Sequence, residues 1–488
     1  MLPAHRSIRA GRLLRQGGAP SQTLQTVPTL MKSTLLCILS TLLIVTVQAG
    51  DFRAASAQVE ITPKAGTPMA GYYRFRGVGS VLDPLYAKTI VMEQDGRHAA
   101  LVVLDIAYTS KPLVDAARRA IQAQCGIEGD HVMISATHTH TGPTLPRGNM
   151  MDTLTKADSP SGLAFADTLP GRIAQSVSEA KARLAPVTPA FAVGDGTGIS
   201  FNRRVLKEGS TEALWQPSKF DPATMRPAGP VDPEIGVLVF SSSGAESKPV
   251  ACLLNFAMHP TSVGGGDKIS ADYPGVFTKL VSERHGPDMI AVFANGCCGN
   301  TNPNDYFTGT RRKHLEIGAL LADATDAAWK NLKPLKPFAP RVLSTRVTLP
   351  RRSFSDAQIG QAKDVAARMI TKNLGTVPMA EAVCILETVA KQNEPLVVEV
   401  QVIAFSEESA IVALPGEIFV ELGLALKKAS PFKHTIIAEL ANGSIGYVPD
   451  SAAYPQGNYE VVSARCAQGS GEMLVEAALK LLKQAAQR

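Results

Sequence analysis

The apolar run Val132-Met133-Ile134 leads into Thr137-His138-Thr139-His140 and is cut off by Gly142-Pro143, and no other segment constrains the chain as much. A run of this kind reads as a buried strand, and the Gly-Pro pair ends it. Strand side chains alternate between faces, so an extended backbone carried on to residue 140 sends His138 and His140 to the same side. Two imidazoles at the mouth of a buried strand suit a metal ligand beside a proton-transferring or charge-stabilising group. Two unrelated polar loop residues would be spelled the same way, so the pair needs support from elsewhere.

The rest of the chain alternates strand-like and helix-like segments, which points to a mixed α/β (α+β) enzyme fold in one large domain, with functional loops after strands. Val59-Glu60-Ile61 opens the body, and Asp95-Gly96 marks a hairpin between 89–92 and 100–104. Apolar runs recur at 235–240, 250–258, 289–294, 398–405 and 410–414. Helical periodicity covers 111–124, 167–185, 273–285, 311–330, 355–372, 416–428 and 471–486. Residues 143–165 and 205–232 read as long loops, and the proline-rich 332–350 as a subdomain seam.

Composition narrows the class. At 488 residues, 45% apolar and 19% charged, the chain is of ordinary globular make-up. The net charge of +6 misleads: five of the 49 basic residues, and no acidic ones, fall within residues 1–49, which leaves 44 basic against 43 acidic. The body thus has no electrostatic footprint for nucleic acid. Met31-Lys32, the apolar stretch to Val45 and the small-residue site Val47-Gln48-Ala49 read as a secretory signal peptide. Residues 1–49 are then a leader, with 1–30 an over-extended start, and 50–488 the catalytic domain. The expectation is an exported protein, secreted or periplasmic, without a membrane span and with at most peripheral membrane contact. Six cysteines remain (Cys125, Cys252, Cys297, Cys298, Cys384, Cys466), too few for a disulfide scaffold and without the Cys-x-x-Cys spacing of a thiolate zinc site.

Four further segments carry candidate chemistry. Leu253-Leu254-Asn255-Phe256-Ala257-Met258-His259-Pro260 repeats the pattern of an apolar strand ending in histidine. Glu417, after Leu414-Pro415-Gly416, is either a hard metal ligand or a favourable carboxylate at the start of a helix. Tyr447 follows a strand and the turn Asn442-Gly443-Ser444-Ile445-Gly446. The turn Asn295-Gly296-Cys297-Cys298-Gly299-Asn300-Thr301-Asn302 presents small side chains and backbone N–H groups to a ligand. Cys298 invites a cysteine-nucleophile reading, but no base is evident beside it.

In this order these pieces resemble the neutral, non-lysosomal ceramidase family of zinc-dependent amidases, over roughly residues 53–465. The resemblance rests on Ser135-Ala-Thr-His-Thr-His-Thr-Gly-Pro143, Asn255-Phe-Ala-Met-His-Pro-Thr261, Leu414-Pro-Gly-Glu417 and Gly446-Tyr-Val448. It implies one Zn²⁺ per chain held by His138, His259, Glu417 and Tyr447, with His140 as the neighbouring acid/base or oxyanion-stabilising histidine. It also implies that Arg203, in Asn202-Arg203, holds a substrate oxygen. The family's nucleophile loop, Gly-Asp-Val-Ser-Pro-Asn, stands here as Gly299-Asn300-Thr301-Asn302-Pro303-Asn304. Asn302 can donate to an oxyanion but cannot accept an acyl group. The chain also ends after a single helix, without the family's C-terminal immunoglobulin-like domain.

The expected activity is therefore hydrolysis of an amide (N-acyl) or ester bond of a small-molecule or lipid substrate. Zinc lowers the pKa of its bound water to about 7, so such water replaces the serine. The alternative is a catalytically inactive, ceramidase-like metal- or ligand-binding protein.

Overall fold

The computed structural model describes residues 50–487 apart from Ala245. The signal-peptide and start-site expectations lie outside the described residues.

Alternating side chains build two sheets that share one core. Among the described residues, the larger sheet has nine strands. Its path runs Ile290–Asn295, Pro249–Phe256, Glu234–Ser242, Ala185–Asp195, Arg53–Glu60, Tyr86–Gln94, Arg97–Leu104, Val132–Ala136, and Lys333–Pro334 also pairs with Ala185–Asp195. The second sheet orders Pro337–Leu349, Leu396–Ser406, Ser409–Ala413 and His434–Ala438. In Arg97–Leu104, Leu101 and Val103 point into the layer between the sheets, while Val102 and Leu104 point to the opposite face. In Leu396–Ser406, Ile403 and Phe405 meet that same inner layer and Val400 and Val402 face away. Phe52, Phe240 and Phe405 pack together at its centre.

Helices close both outer faces. Lys111–Cys125 and Pro160–Ala182 cover one part of the larger sheet through Leu113, Ile121, Leu169 and Ile173. Asp272–His285 and His314–Trp329 cover another through Phe277, Ile317 and Leu321. Val420–Ala429 and Ser470–Ala486 cover the second sheet. The result is four layers, helix–sheet–sheet–helix, a mixed α/β fold. No helix among the described residues is long and apolar enough to cross a membrane.

Local chemistry explains several boundaries. Ser110 caps Lys111–Cys125 through the Leu113 N–H, and Gly126 ends it at φ 69°. Asp95 and Gly96 both have positive φ, as a two-residue hairpin turn requires. Residues 332–350 are not a seam. They contain the 13-residue edge strand Pro337–Leu349, where proline is tolerated because one side needs no N–H and the register shifts between Pro337 and Arg341. Helix Thr376–Ala390 was not anticipated, and the 143–165 loop contains the short helix Met150–Thr155. Region 205–232 holds the small strands Ala213–Trp215 and Met225–Pro227, and a third, Arg204–Lys207, enters it from just upstream.

The sheets meet where their parallel strands end. Val132–Ala136 runs parallel to Arg97–Leu104, Ile290–Asn295 to Pro249–Phe256, and His434–Ala438 to Ser409–Ala413. Asn442 joins the two sheets: its N–H donates to the Ile134 carbonyl (2.8 Å), its Oδ1 accepts from the Ile134 N–H (3.0 Å) and its Nδ2 donates to Gln401 (2.8 Å). Asn255 Nδ2 donates to the carbonyls of Ala294 and Ile437, which ties the other edge strand to the second sheet.

Candidate active site and metal centre

The loops at this junction bring five candidate residues together. His138 does not continue the strand: its φ is 73°, a left-handed value unusual for a side-chain-bearing residue, and this reversal, rather than strand alternation, turns its ring towards that of His140. The two rings lie edge to face with centroids 4.8 Å apart, and the His138 and His259 rings do the same at 4.6 Å. Gly71 backs the turn, because a Cβ there would stand 2.7 Å from the His140 carbonyl oxygen.

Glu417 does not begin a helix. Residues Glu417–Ile418 form a two-residue parallel ladder with Tyr447–Val448, in which Glu417 is paired with Tyr447, and the helix starts only at Val420. This ladder sets the carboxylate and the phenol side by side. Gly299 lies against it, donating to the Ile418 carbonyl at 2.8 Å, and a Cβ at residue 299 would stand 2.6 Å from the Glu417 carbonyl oxygen.

The spacings are those of groups around one ion. His138 Nε2 is 3.3 Å from His140 Nε2 and 3.4 Å from Glu417 Oε2. His259 Nε2 is 3.2 Å from Glu417 Oε2 and 3.5 Å from the Tyr447 hydroxyl. Donors about 2.1 Å from a tetrahedral Zn²⁺ stand roughly 3.4 Å from one another. Ligand atoms of His138, His140 and His259 all lie within 4.8 Å of one another. Two of the imidazoles are also oriented from behind, His138 Nδ1 donating to the Ala107 carbonyl (2.5 Å) and His259 Nδ1 to the Cys298 carbonyl (2.7 Å). Both Nε2 lone pairs are thereby aimed into the cluster. The donor set fits a divalent metal.

Burial and mutual coupling shift the titration of these groups. Burial, helped by Arg203, lowers His259 to about 3. Burial and the neighbouring His138 and His259 hold His140 well below the usual imidazole range. Burial acts to raise the Glu417 carboxyl, but the charge and hydrogen bonds of His138 and His259 outweigh it and hold it well below the carboxylate range. Burial, and next the Glu417 charge, push the Tyr447 phenol well above its ordinary value.

Arg203 is buried behind the cluster rather than at the cavity wall. Its Nη2 donates to the Tyr447 oxygen (3.0 Å) and the Gly299 carbonyl (2.9 Å), and its Nε to Glu460 (2.7 Å). Asn302 also lies off the cavity lining. Its Nδ2 donates to the Tyr306 hydroxyl at 2.7 Å and its Oδ1 accepts from the Asn304 N–H at 3.1 Å, so its carboxamide is already committed. Cys298 is fully buried, and burial with the nearby Glu439 pushes its thiol well above the usual range, which removes the cysteine-nucleophile reading. All six described cysteines are unpaired.

A cavity of about 430 Å³ opens onto His138, His140, Glu417 and Tyr447. Several residues at its wall escaped sequence reasoning: Tyr72, Tyr73, Tyr108, Tyr459, Arg147 and Glu387. Adjacency to a motif was the one available signal. Tyr72-Tyr73 follow Gly71, and Tyr459 precedes Glu460, whose carboxylate holds both Arg203 and Arg204.

Comparison with known proteins agrees with this architecture. The family described as neutral/alkaline non-lysosomal ceramidase, N-terminal, matches residues 52–334. The fold is similar to that of neutral ceramidase from Pseudomonas aeruginosa, with a TM-score of 0.67 at 19% identity over 90% of this chain and 75% of that one. A ceramidase complexed with C2 gives a TM-score of 0.66 at 18% identity over 89% of this chain and 76% of that one. No curated protein sequence matches the chain. With the family match spanning more than half of its length, the chain belongs to the neutral/alkaline non-lysosomal ceramidase family and is a ceramidase-like hydrolase by family and fold.

Proposed function

We propose that the chain is an exported, zinc-dependent hydrolase of an N-acyl amide or ester bond, acting on a small-molecule or lipid substrate in the cavity above His138 and Glu417. One observation carries this reading: imidazole, carboxylate and phenol donors converge at 3.2–3.5 Å spacings at the wall of a cavity. A Zn²⁺ held by His138, His259, Glu417 and Tyr447 would polarise the scissile carbonyl and make water nucleophilic near neutral pH.

The residues divide into two kinds. His138 and His259 each spend Nδ1–H on a backbone carbonyl, the usual arrangement of a metal-ligating histidine. His140 differs. Among the described residues no backbone carbonyl engages its ring, and it is only partly buried. Held well below the usual imidazole range, with its Nε2 3.3 Å from His138 Nε2, His140 is the group placed to pass a proton from attacking water to the leaving amine. Arg203 positions the Tyr447 oxygen, donating to it and being held by Glu460. Water is the nucleophile in this reading because Asn302 occupies the serine register and Cys298 is buried with a raised thiol.

The test is hydrolysis of a short-chain fluorescent ceramide by zinc-loaded protein beside its Glu417→Ala variant. Turnover that the variant loses supports a metal-dependent amidase. Bound zinc without turnover on ceramide or on a panel of amides and esters would leave the metal centre and replace the enzyme with a binding protein.

A further inference from the structure

The cavity wall is unusual for a site that takes a neutral lipid. It carries four cations, Arg147, Arg351, Lys391 and Arg465, against the carboxylates Glu387 and Glu417. Glu417 faces the imidazoles, and Glu387 is paired with Arg465. Among the described residues no ion pair engages Arg147, Arg351 or Lys391. Five of the nine tyrosines of the chain line the same cavity: Tyr72, Tyr73, Tyr108, Tyr447 and Tyr459.

Arg147 is the best-built of the unpaired cations. Its guanidinium lies over the Tyr108 ring, 3.9 Å from the centroid. Tyr108 is itself fixed, its hydroxyl donating to the Leu145 carbonyl (2.8 Å) and accepting from the Leu145 N–H (3.1 Å). The nearest acid in sequence, Asp152, spends its oxygens on the N–H groups of Arg147 and Gly148. Tyr108 directly follows Ala107, whose carbonyl holds His138. Platform and metal-ligand anchor are therefore consecutive residues, about 3.8 Å apart along the chain. A guanidinium that no ion pair engages, on the wall of the cavity that His138 and Glu417 also line, suits an oxyanion on the same ligand that reaches the metal centre. Glu387 adds a second demand: its Oε1 is buried at the cavity wall with no hydrogen-bond partner, and a ligand hydroxyl or N–H would satisfy it.

We propose that this cavity selects N-acyl substrates bearing an oxyanion, with Arg147 as the specificity-determining residue. This rests on the amide-hydrolase reading above. The test measures calorimetric affinities of zinc-loaded protein for non-hydrolysable ketomethylene analogues of octanoylglycine (a carboxylate), octanoylglycinamide (neutral) and octanoylphosphoethanolamine (a phosphate). Arg147→Ala and Arg147→Lys are compared with the unmodified chain, and thermal unfolding reports their folding.

The expected result is about tenfold or tighter binding of an anionic analogue over the neutral one, the least expected of a charge-assisted hydrogen bond. That preference disappears in Arg147→Ala and survives in part in Arg147→Lys. The tighter of the two anions names the oxyanion. Equal affinity for charged and neutral analogues, no binding of any, or a preference that persists in Arg147→Ala overturns the inference. Release of octanoate from the parent amides is followed separately. Anion preference without turnover of a parent amide keeps the oxyanion selectivity as that of a binding site and counts against the hydrolase reading, whereas turnover without preference keeps the hydrolase reading and overturns the selectivity.

Discussion

At the scale of single residues, His138 and His259 are each oriented by a backbone carbonyl at Nδ1. Glu417 lies within 3.4 Å of two imidazoles, so Glu417→Ala is expected to weaken zinc binding by more than about 100-fold, beyond the loss typical of removing a hydrogen bond to a ligand. Metal titration against a chromophoric chelator measures it. The pH response follows from the imidazoles. His259 at about 3 and the depressed His140 both titrate below a free histidine, whose pKa is near 6.5. Between those values the unfolded chain binds more protons than the folded one. Stability of the metal-free protein is therefore full above about pH 6.5 and is lost as pH falls towards about 3. For His259 the loss is about 2 kcal/mol by pH 5, read from urea midpoints of chelated protein at pH 7.5 and 5; equal midpoints would count against neutral buried imidazoles. Cys298, buried and protonated, is expected to resist alkylation in the folded protein, so iodoacetamide should leave any turnover intact. His138, His140 and His259 were legible from histidines that follow apolar strands, whereas Glu417 and Tyr447 joined them only through the resemblance to the ceramidase family. The surroundings of Arg203 and Asn302 were not legible. Their roles depend on Tyr447, Glu460 and Tyr306, and for Arg203 the partners lie more than two hundred residues away.

At the scale of elements, strand ends do the positioning. The Asn442 side chain accepts from the Ile134 N–H and donates to Gln401 across the sheet junction, so Asn442→Ala keeps its backbone bond to the Ile134 carbonyl but leaves the Ile134 N–H and the Gln401 carboxamide oxygen unpaired. The expected cost is about 2–4 kcal/mol in denaturant unfolding, with loosened metal binding because the strand bearing His138 loses its clamp. A cost within a few tenths of a kcal/mol would show the clamp to be dispensable. Most strands and helices were readable from apolar period and caps, since two-sided burial and Ser or Gly boundaries write themselves into local sequence. The misreadings have a common cause. Pro337–Leu349 tolerates prolines only because it is an edge strand, and Glu417 pairs with Tyr447 instead of opening a helix only because a distant turn delivers its partner.

At the scale of the whole molecule, two sheets sharing one core place loops from residues 138 to 447 around a single point, and the cavity there joins the cluster of His138, Glu417 and Tyr447 to a cationic, tyrosine-rich wall. The period of each strand is local information, but the packing of one sheet on the other is not, so the four-layer arrangement had to be seen. These loops are proposed to make one metal centre. Its most direct test is the metal content of protein purified after zinc loading and exhaustive dialysis, measured beside His138→Ala and Glu417→Ala. One zinc per chain is expected in the unmodified protein and little in either variant. Protein that retains no zinc, or variants that retain it undiminished, would contradict it.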